Sequence, residues 1–369
     1  MGAVLSGCGD PSAERSIDVP ELTLRALPPL RAEADPAGEP FGRITDLEIG
    51  EDGSVFVLDG LTCTVRVFDP EGAELDSFGG CGQGPGELAE PASLLWGPDG
   101  NLWVLDLGNS RLSVFAPEGE FVSTHRPSDL PIYHPLAVGF AETGRLRWVG
   151  LTSGDLMSAS SAWIETEITD GMIRPLTRRE LPFVEWPLAF EHRGDETTFV
   201  LTVPFSGLPL FGFDPAGRLW YTQTGDHWVH RWSTDGELDL SFGRQLAPTP
   251  VTAAARQEAL ASSEYEELRT VLGQAGVAEM ISLIPDVMPY LEGFFFDDES
   301  NIWVIRAAPG APHDVRRTID IYDAQGTPVG IAHATLEADP RPRVRDGLLA
   351  AIIRDELGVE SVVLYRIGQ

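Results

Sequence analysis

The chain of 369 residues contains no lysine: all 26 of its basic residues are arginine. That absence removes Schiff-base chemistry and a phosphate-cradling P-loop, both of which use a lysine amine. Basic residues are also few beside the 57 Asp and Glu, which leaves a formal net charge of −31 and a pI near 4.4. Nucleic acid and direct docking on anionic lipid both need a basic footprint, so neither is an expected partner. The acidity itself is accounted for by solubility in a carboxylate-rich coat. No apolar run approaches the roughly 18 residues of a membrane span. Cysteine is limited to Cys8, Cys63 and Cys81. His-Glu-x-x-His, Cys-x-x-Cys and Gly-x-Ser-x-Gly spacings are all missing, so no familiar catalytic signature is present.

What is plentiful is turn-forming residues, 39 Gly and 29 Pro, and they recur at fixed intervals. The stretch from Asp52 to Gly72 reads as two apolar strands between turns, and it returns 47 positions later. Asp52-Gly53 becomes Asp99-Gly100, Val57-Leu58-Asp59 becomes Val104-Leu105-Asp106, and Pro70-Glu71-Gly72 becomes Pro117-Glu118-Gly119. A copy with Gly217 and Gly236 keeps the spacing of 19 between its two glycines. A repeat of this length made of strands and tight turns predicts a propeller blade.

The first unit predicts strands over Ile44–Gly50, Ser54–Asp59, Thr64–Asp69 and Ala73–Phe78; the second over Pro91–Trp96, Asn101–Asp106, Arg111–Phe115 and Glu120–Thr124. A third unit, from about residue 136, is blurred by an insertion, and a fourth runs from Leu208 to Phe242. Between Thr252 and Ile284 apolar residues recur at helical spacing, with Thr252 a suitable N-cap. A fifth unit spans Gly293–Ala334. Residues 343–368 are short of a strand, and an alternating stretch near residues 17–24 is its natural donor, which would close the ring and remove open edges. The expected fold is all-β: a six-bladed β-propeller over 16–369, with a small helical insertion (252–284) between blades 4 and 5.

Residues 5–8, Leu5-Ser6-Gly7-Cys8, resemble the lipobox of bacterial lipoproteins, although the charged and apolar regions that normally precede it are absent. The resemblance implies lipidation at Cys8, with residues 1–15 as anchor and tether. The run from Asp59 through Val65-Arg66-Val67-Phe68-Asp69-Pro70-Glu71-Gly72 to Phe78-Gly79-Gly80 resembles NHL-type repeats. More narrowly, the chain is similar to bacterial six-bladed β-propeller lipoproteins with NHL-like blades. That family implies a location in the bacterial cell envelope, with contact to the membrane only through the anchor. It includes binding scaffolds and a few lyases, so it specifies fold better than function.

Propeller topology sorts the loops. The tight Gly turns join strands one to two and three to four on one face. The longer segments, Gly79–Pro91, Arg126–Pro135, Gly225–His227, the helical insert and Ala307–His313, fall on the other. Long loops on a rigid scaffold are where binding resides, so this long-loop face is the expected functional face. Cys63 and Cys81 both fall there and are candidates for a disulfide in an oxidising compartment, the alternative being two unrelated thiols. Asp59 and Asp106 end equivalent second strands, and Gln223 and Arg306 are their counterparts in later units. These four are candidate ligand-binding residues at the channel mouth; the other reading is that the aspartates accept loop amide protons. His134, His227, His313 and Asp226 form a candidate metal set, weakened by their separation over different blades. Trp103, Trp220 and Trp303 share a second-strand position and are read as packing between blades. No cofactor is expected, with a divalent metal, Ca or Zn, as the alternative. The expected function is binding of a protein partner or small-molecule ligand without chemistry; the alternative is a metal-assisted lyase or lactonase-type hydrolase.

Overall fold

The computed structural model describes residues 19–28, 30, 41–153, 160–181, 189–193, 198–233, 236–261, 273, 275–308 and 315–368. Strands dominate, and most fall into four-stranded antiparallel units. The first is β2 (Ile44–Ile49), β3 (Val55–Asp59), β4 (Thr64–Phe68) and β5 (Glu74–Gly79). The second is β6 (Pro91–Trp96), β7 (Leu102–Asp106), β8 (Arg111–Phe115) and β9 (Phe121–Pro127). The third, β10 (His134–Phe140), β11 (Leu146–Leu151), β12 (Ser161–Thr169) and β13 (Met172–Leu181), has the longest outer strands. A separate hairpin follows, β14 (Ala189–Arg193) and β15 (Thr198–Thr202). Then come β16 (Pro209–Phe213), β17 (Leu219–Gln223), β18 (Trp228–Trp232) and β19 (Leu238–Gly243). Beyond the insert lie β20 (Leu291–Phe296), β21 (Ile302–Arg306), β22 (Arg317–Tyr322) and β23 (Pro328–Ala334).

The last unit is assembled from both ends of the chain. β24 (Arg343–Arg345), β25 (Leu348–Arg354) and β26 (Glu360–Gly368) are completed by β1 (Glu21–Ala26), which runs antiparallel to β26 with Leu24 opposite Ile367. β1 also pairs in parallel with β23 of the preceding unit through Glu21 and Ile331. The sequence reading had the donor strand and missed the short β24. The molecule is an all-β propeller.

Neighbouring units share cores, and this explains the sequence pattern. β3, β7 and β8 are buried along their whole length because each sheet packs on the sheet before it and the sheet after it. Their apolar runs are therefore nearly continuous instead of alternating. One cluster joins Leu47, Val57 and Phe68 to Leu348, Ile352 and Leu364, the junction between first and last units. Others join Phe56 and Val65 to Leu94 and Val104, and Trp103 and Leu112 to Trp148 and Ile164. Trp220 and Trp303 lie in the corresponding later junctions, 0% and 2% exposed. Their indole N–H groups donate to turn aspartates, Trp220 to Asp214 at 2.8 Å and Trp303 to Asp297 at 3.0 Å.

The tight turns hold the same chemistry from unit to unit. Asp69 Oδ1 accepts the amides of Glu71 and Ala73, at 3.0 and 2.8 Å. Asp323 repeats this with Gln325 and Thr327. Gly119 sits at φ 85°, and a Cβ there would meet the Phe78 ring at 2.7 Å, so the turn admits no larger residue without a shift.

The insert begins with a short helix, α1 (Ala253–Ala259), whose N-cap Thr252 hydroxyl accepts from Ala255 N–H at 3.1 Å. Residues 275–283 are also helical. Met280, Ile284 and Met288 bury themselves with Val203, so the insert has a core of its own against the ring.

Candidate functional site

The second-strand ends were the first candidates, and each is occupied by the protein's own groups. Asp59, 1% exposed, accepts four backbone amides: Gly42 at Oδ2 (2.7 Å), and Arg43, Leu61 and Thr62 at Oδ1 (3.1, 3.0 and 3.3 Å). Asp106 is fully buried. It accepts Ala89 N–H at 2.8 Å, the Asn109 amide at 2.7 Å and Arg111 Nε at 3.0 Å. The Arg111 guanidinium in turn donates to the carbonyls of Gln83, Gly84 and Glu87 and so shapes the loop leaving the first unit. Arg306 makes a two-pronged pair with Asp320, both contacts 2.6 Å, which raises its pKa. Gln223 accepts the Tyr221 hydroxyl.

The histidines stay apart. His134 opens β10 and is exposed. His227 lies between β17 and β18, edge-on to Tyr290 with ring centres 5.0 Å apart. Asp226 accepts the backbone N–H of His227. His313 and Cys8 fall outside the described residues. Cys63 and Cys81 form a disulfide with Cα atoms 5.0 Å apart, tying the β3–β4 loop to the loop that leaves β5.

A concavity lies elsewhere, on the ring axis, where the innermost strands enclose a cavity of about 720 Å³. One wall is apolar and aromatic: Leu95, Trp96, Leu136, Phe140, Phe213 and Phe296. The opposite wall is charged and comes from β2 and the chain entering β24. The register of β2 against β3 shifts just before Asp46, a bulge of the kind that re-aims side chains at barrel rims. Arg343 donates to Asp46 at 2.9 Å and to Glu48 at 2.8 Å. Asp46 also accepts Ser93 Oγ at 2.8 Å and the amides of Leu47 and Leu94 at 2.9 Å.

Burial raises the Glu48 pKa against the pull of Arg343, with the Asp46 charge adding to the rise. Burial works against the charge of Arg343, but the Asp46 and Glu48 carboxylates outweigh it and lift its pKa. Arg341 is the exception. Burial and the adjacent Arg343 bring its pKa down to about 10.

Solved structures share this ring. A protein described as exported, from Bacteroides fragilis, superposes with a TM-score of 0.51 at 13% identity, covering 95% of this chain and 95% of its own. The likeness is one of fold. A streptogramin B lyase aligns at 0.49 and 13% identity over 94% of this chain and 98% of the other. A gluconolactonase of Xanthomonas campestris aligns at 0.45 and 11%, over 95% and 98%. No protein-family model and no curated protein sequence matches the chain.

The cofactor expectation is corrected. The expectation of no cofactor is withdrawn, because a likeness of fold alone at 13% identity neither assigns nor excludes one. For the Ca or Zn alternative, drawn on His134, His227, Asp226 and His313, no three His, Cys, Asp or Glu side chains gather in a metal-holding group among the described residues, which do not include His313.

Of the sequence-derived candidates within the described residues, none lines the axial cavity. Asp46, Glu48, Arg341 and Arg343 were missed, yet a signal was present. Thr45-Asp46-Leu47-Glu48-Ile49 puts carboxylates at every second position of an innermost strand, where the next repeat has Ser93 and Leu95. Arg341-Pro342-Arg343-Val344-Arg345 does the same with guanidiniums. Charges of opposite sign alternating on two innermost strands mark a polar axial wall.

Proposed function

We propose that this chain is a six-bladed, NHL-like propeller lipoprotein of the bacterial cell envelope that docks a protein partner through its long-loop face. The supporting observation is where large apolar side chains stay exposed. Leu61 (69%), Tyr133 (66%) and Leu357 (88%) lie in loops of that face, together with Leu107, Leu208 and Trp228. The remaining exposed large apolar residues sit on the outermost strands, in the insert, or beside Leu357; among the described residues none lies in a turn that joins first to second or third to fourth strands. A group of exposed apolar side chains gathered on one face of an otherwise acidic molecule is what a docking surface requires.

The path of the chain fits an anchor on the opposite side. β1 enters at the tight-turn end, where Thr23 pairs with Gly368, and leaves toward the long-loop end at Ala26. A lipid on Cys8 would hold the tight-turn face toward the membrane and leave the apolar loops facing away. The count of six takes β24, β25, β26 and β1 as one blade and leaves the β14–β15 hairpin outside it.

Photo-reactive residues at Leu61, Tyr133 and Leu357, and at the tight-turn positions Glu71 and Glu118, test the docking face in intact cells. Adducts of one mass from the first set alone are expected; adducts from both sets, or from neither, refute it. Cys8→Ser tests the anchor, and retention of the variant in the membrane fraction would exclude it.

A further inference from the structure

Among the described residues, the axial cavity has one guanidinium without a carboxylate partner. Arg343 is matched to Asp46 and Glu48, and Arg345 reaches Glu51 at 3.3 Å. The acceptors nearest the axis are spent as well: Asp214 on Arg218 and Trp220, Asp297 on Asn301 and Trp303. Arg341 meets no carboxylate within 4.0 Å among the described residues. Its Nη2 donates to the Phe211 carbonyl, and its guanidinium lies 5.8 Å from the centre of the Phe294 ring. A half-buried guanidinium with open donors, in a protein with 31 more acidic than basic side chains, is the group for which a carboxylate is missing.

We propose that the axial cavity binds an amphipathic monoanion, its carboxylate on Arg341 and its apolar body against the Trp96, Phe140, Phe213 and Phe296 wall. A cavity of about 720 Å³ suits a molecule of that kind, with apolar lining and few convergent polar groups. Asp339 and Asp46 bear on Arg341 by charge, though less than burial and Arg343 do; the exposed Asp298 and Asp346 near the mouth are solvated and lose influence beyond roughly 8 Å at physiological salt. They slow the approach of an anion more than they weaken its seat. The cavity shares Leu107 with the apolar loops, but Arg341 and the residues tested for docking lie apart, so the two readings can fail separately.

Calorimetry on the full chain with dodecanoate tests it, with dodecanol and dodecyltrimethylammonium as neutral and cationic counterparts. Dodecanoate is expected to bind about tenfold or more tightly than dodecanol. Arg341→Gln is expected to remove that advantage and leave dodecanol unchanged, whereas Arg341→Lys keeps most of it. Gln retains a donor for the Phe211 carbonyl, and the ranking on the unmodified protein stands even if the variant does not fold. Dodecanol or the cation binding as well as dodecanoate would overturn the proposal. So would an advantage that survives in Arg341→Gln.

Discussion

At the scale of single residues, the buried carboxylates separate by what they are bonded to. Asp106 sits without solvent among an amide, an Asn and an Arg that is itself 4% exposed. Asp106→Ala leaves that guanidinium without its counter-charge, and a loss of about 3–5 kcal/mol is expected in urea unfolding. A loss below about 1 kcal/mol would mean the surrounding loop carries itself. Glu48 behaves in the opposite sense. Its folded-state pKa is raised above 4.5 by burial, so the folded protein holds a proton that the unfolded chain releases, and stability declines as pH rises through that interval. Glu48→Gln removes this slope. Melting midpoints from about pH 4 to about pH 7 should show the parent falling relative to the variant as pH rises, and parallel curves would contradict it. The aspartates that end the second strands were visible in the sequence as repeated letters. Their partners were not, because Gly42 and Ala89 lie 17 residues from the carboxylates they serve.

At the scale of elements, the units with clean turns were legible almost to the residue. β2 to β5 and β6 to β8 fall within a residue or so of the predicted spans because Asp-Gly and Pro-Glu-Gly fix where each hairpin reverses. The third unit blurred because β12 and β13 extend to nine and ten residues, beyond the length the repeat prescribes. β24 escaped because Pro340 and Pro342 read as a loop, though residues 343–345 still pair with β25. The disulfide belongs to this scale. It closes a loop of 18 residues and joins a segment that Asp59 holds to one that Arg111 and Asp106 hold. Replacing both cysteines by serine is expected to cost about 3 kcal/mol in urea unfolding. The unmodified protein in reductant should fall to the same value, and no difference between them and the oxidised protein would show the link to be dispensable.

At the scale of the whole molecule, the excess of acid is the dominant fact, and pairing relieves only part of it. Many ion pairs hold partly exposed partners and contribute little each. The net charge of −31 remains as self-repulsion. Raising sodium chloride from about 0.01 M to about 1 M shortens the screening length from about 30 Å to about 3 Å, and the melting midpoint is expected to rise. A fall would mean that matched pairs, such as Arg343 with Asp46 and Glu48, outweigh the repulsion. The axial wall was the part of the molecule least open to sequence reading. Asp46 and Arg343 stand 297 residues apart, and only closure of the ring makes them neighbours.

The seam between β1, β23 and β26 sets a timetable for the ribosome. β1 finds its partners only in segments made much later, Pro328–Ala334 and Glu360–Gly368. Every nascent chain therefore carries an unmated β1 until those segments have been made, and the circle is sealed only after them.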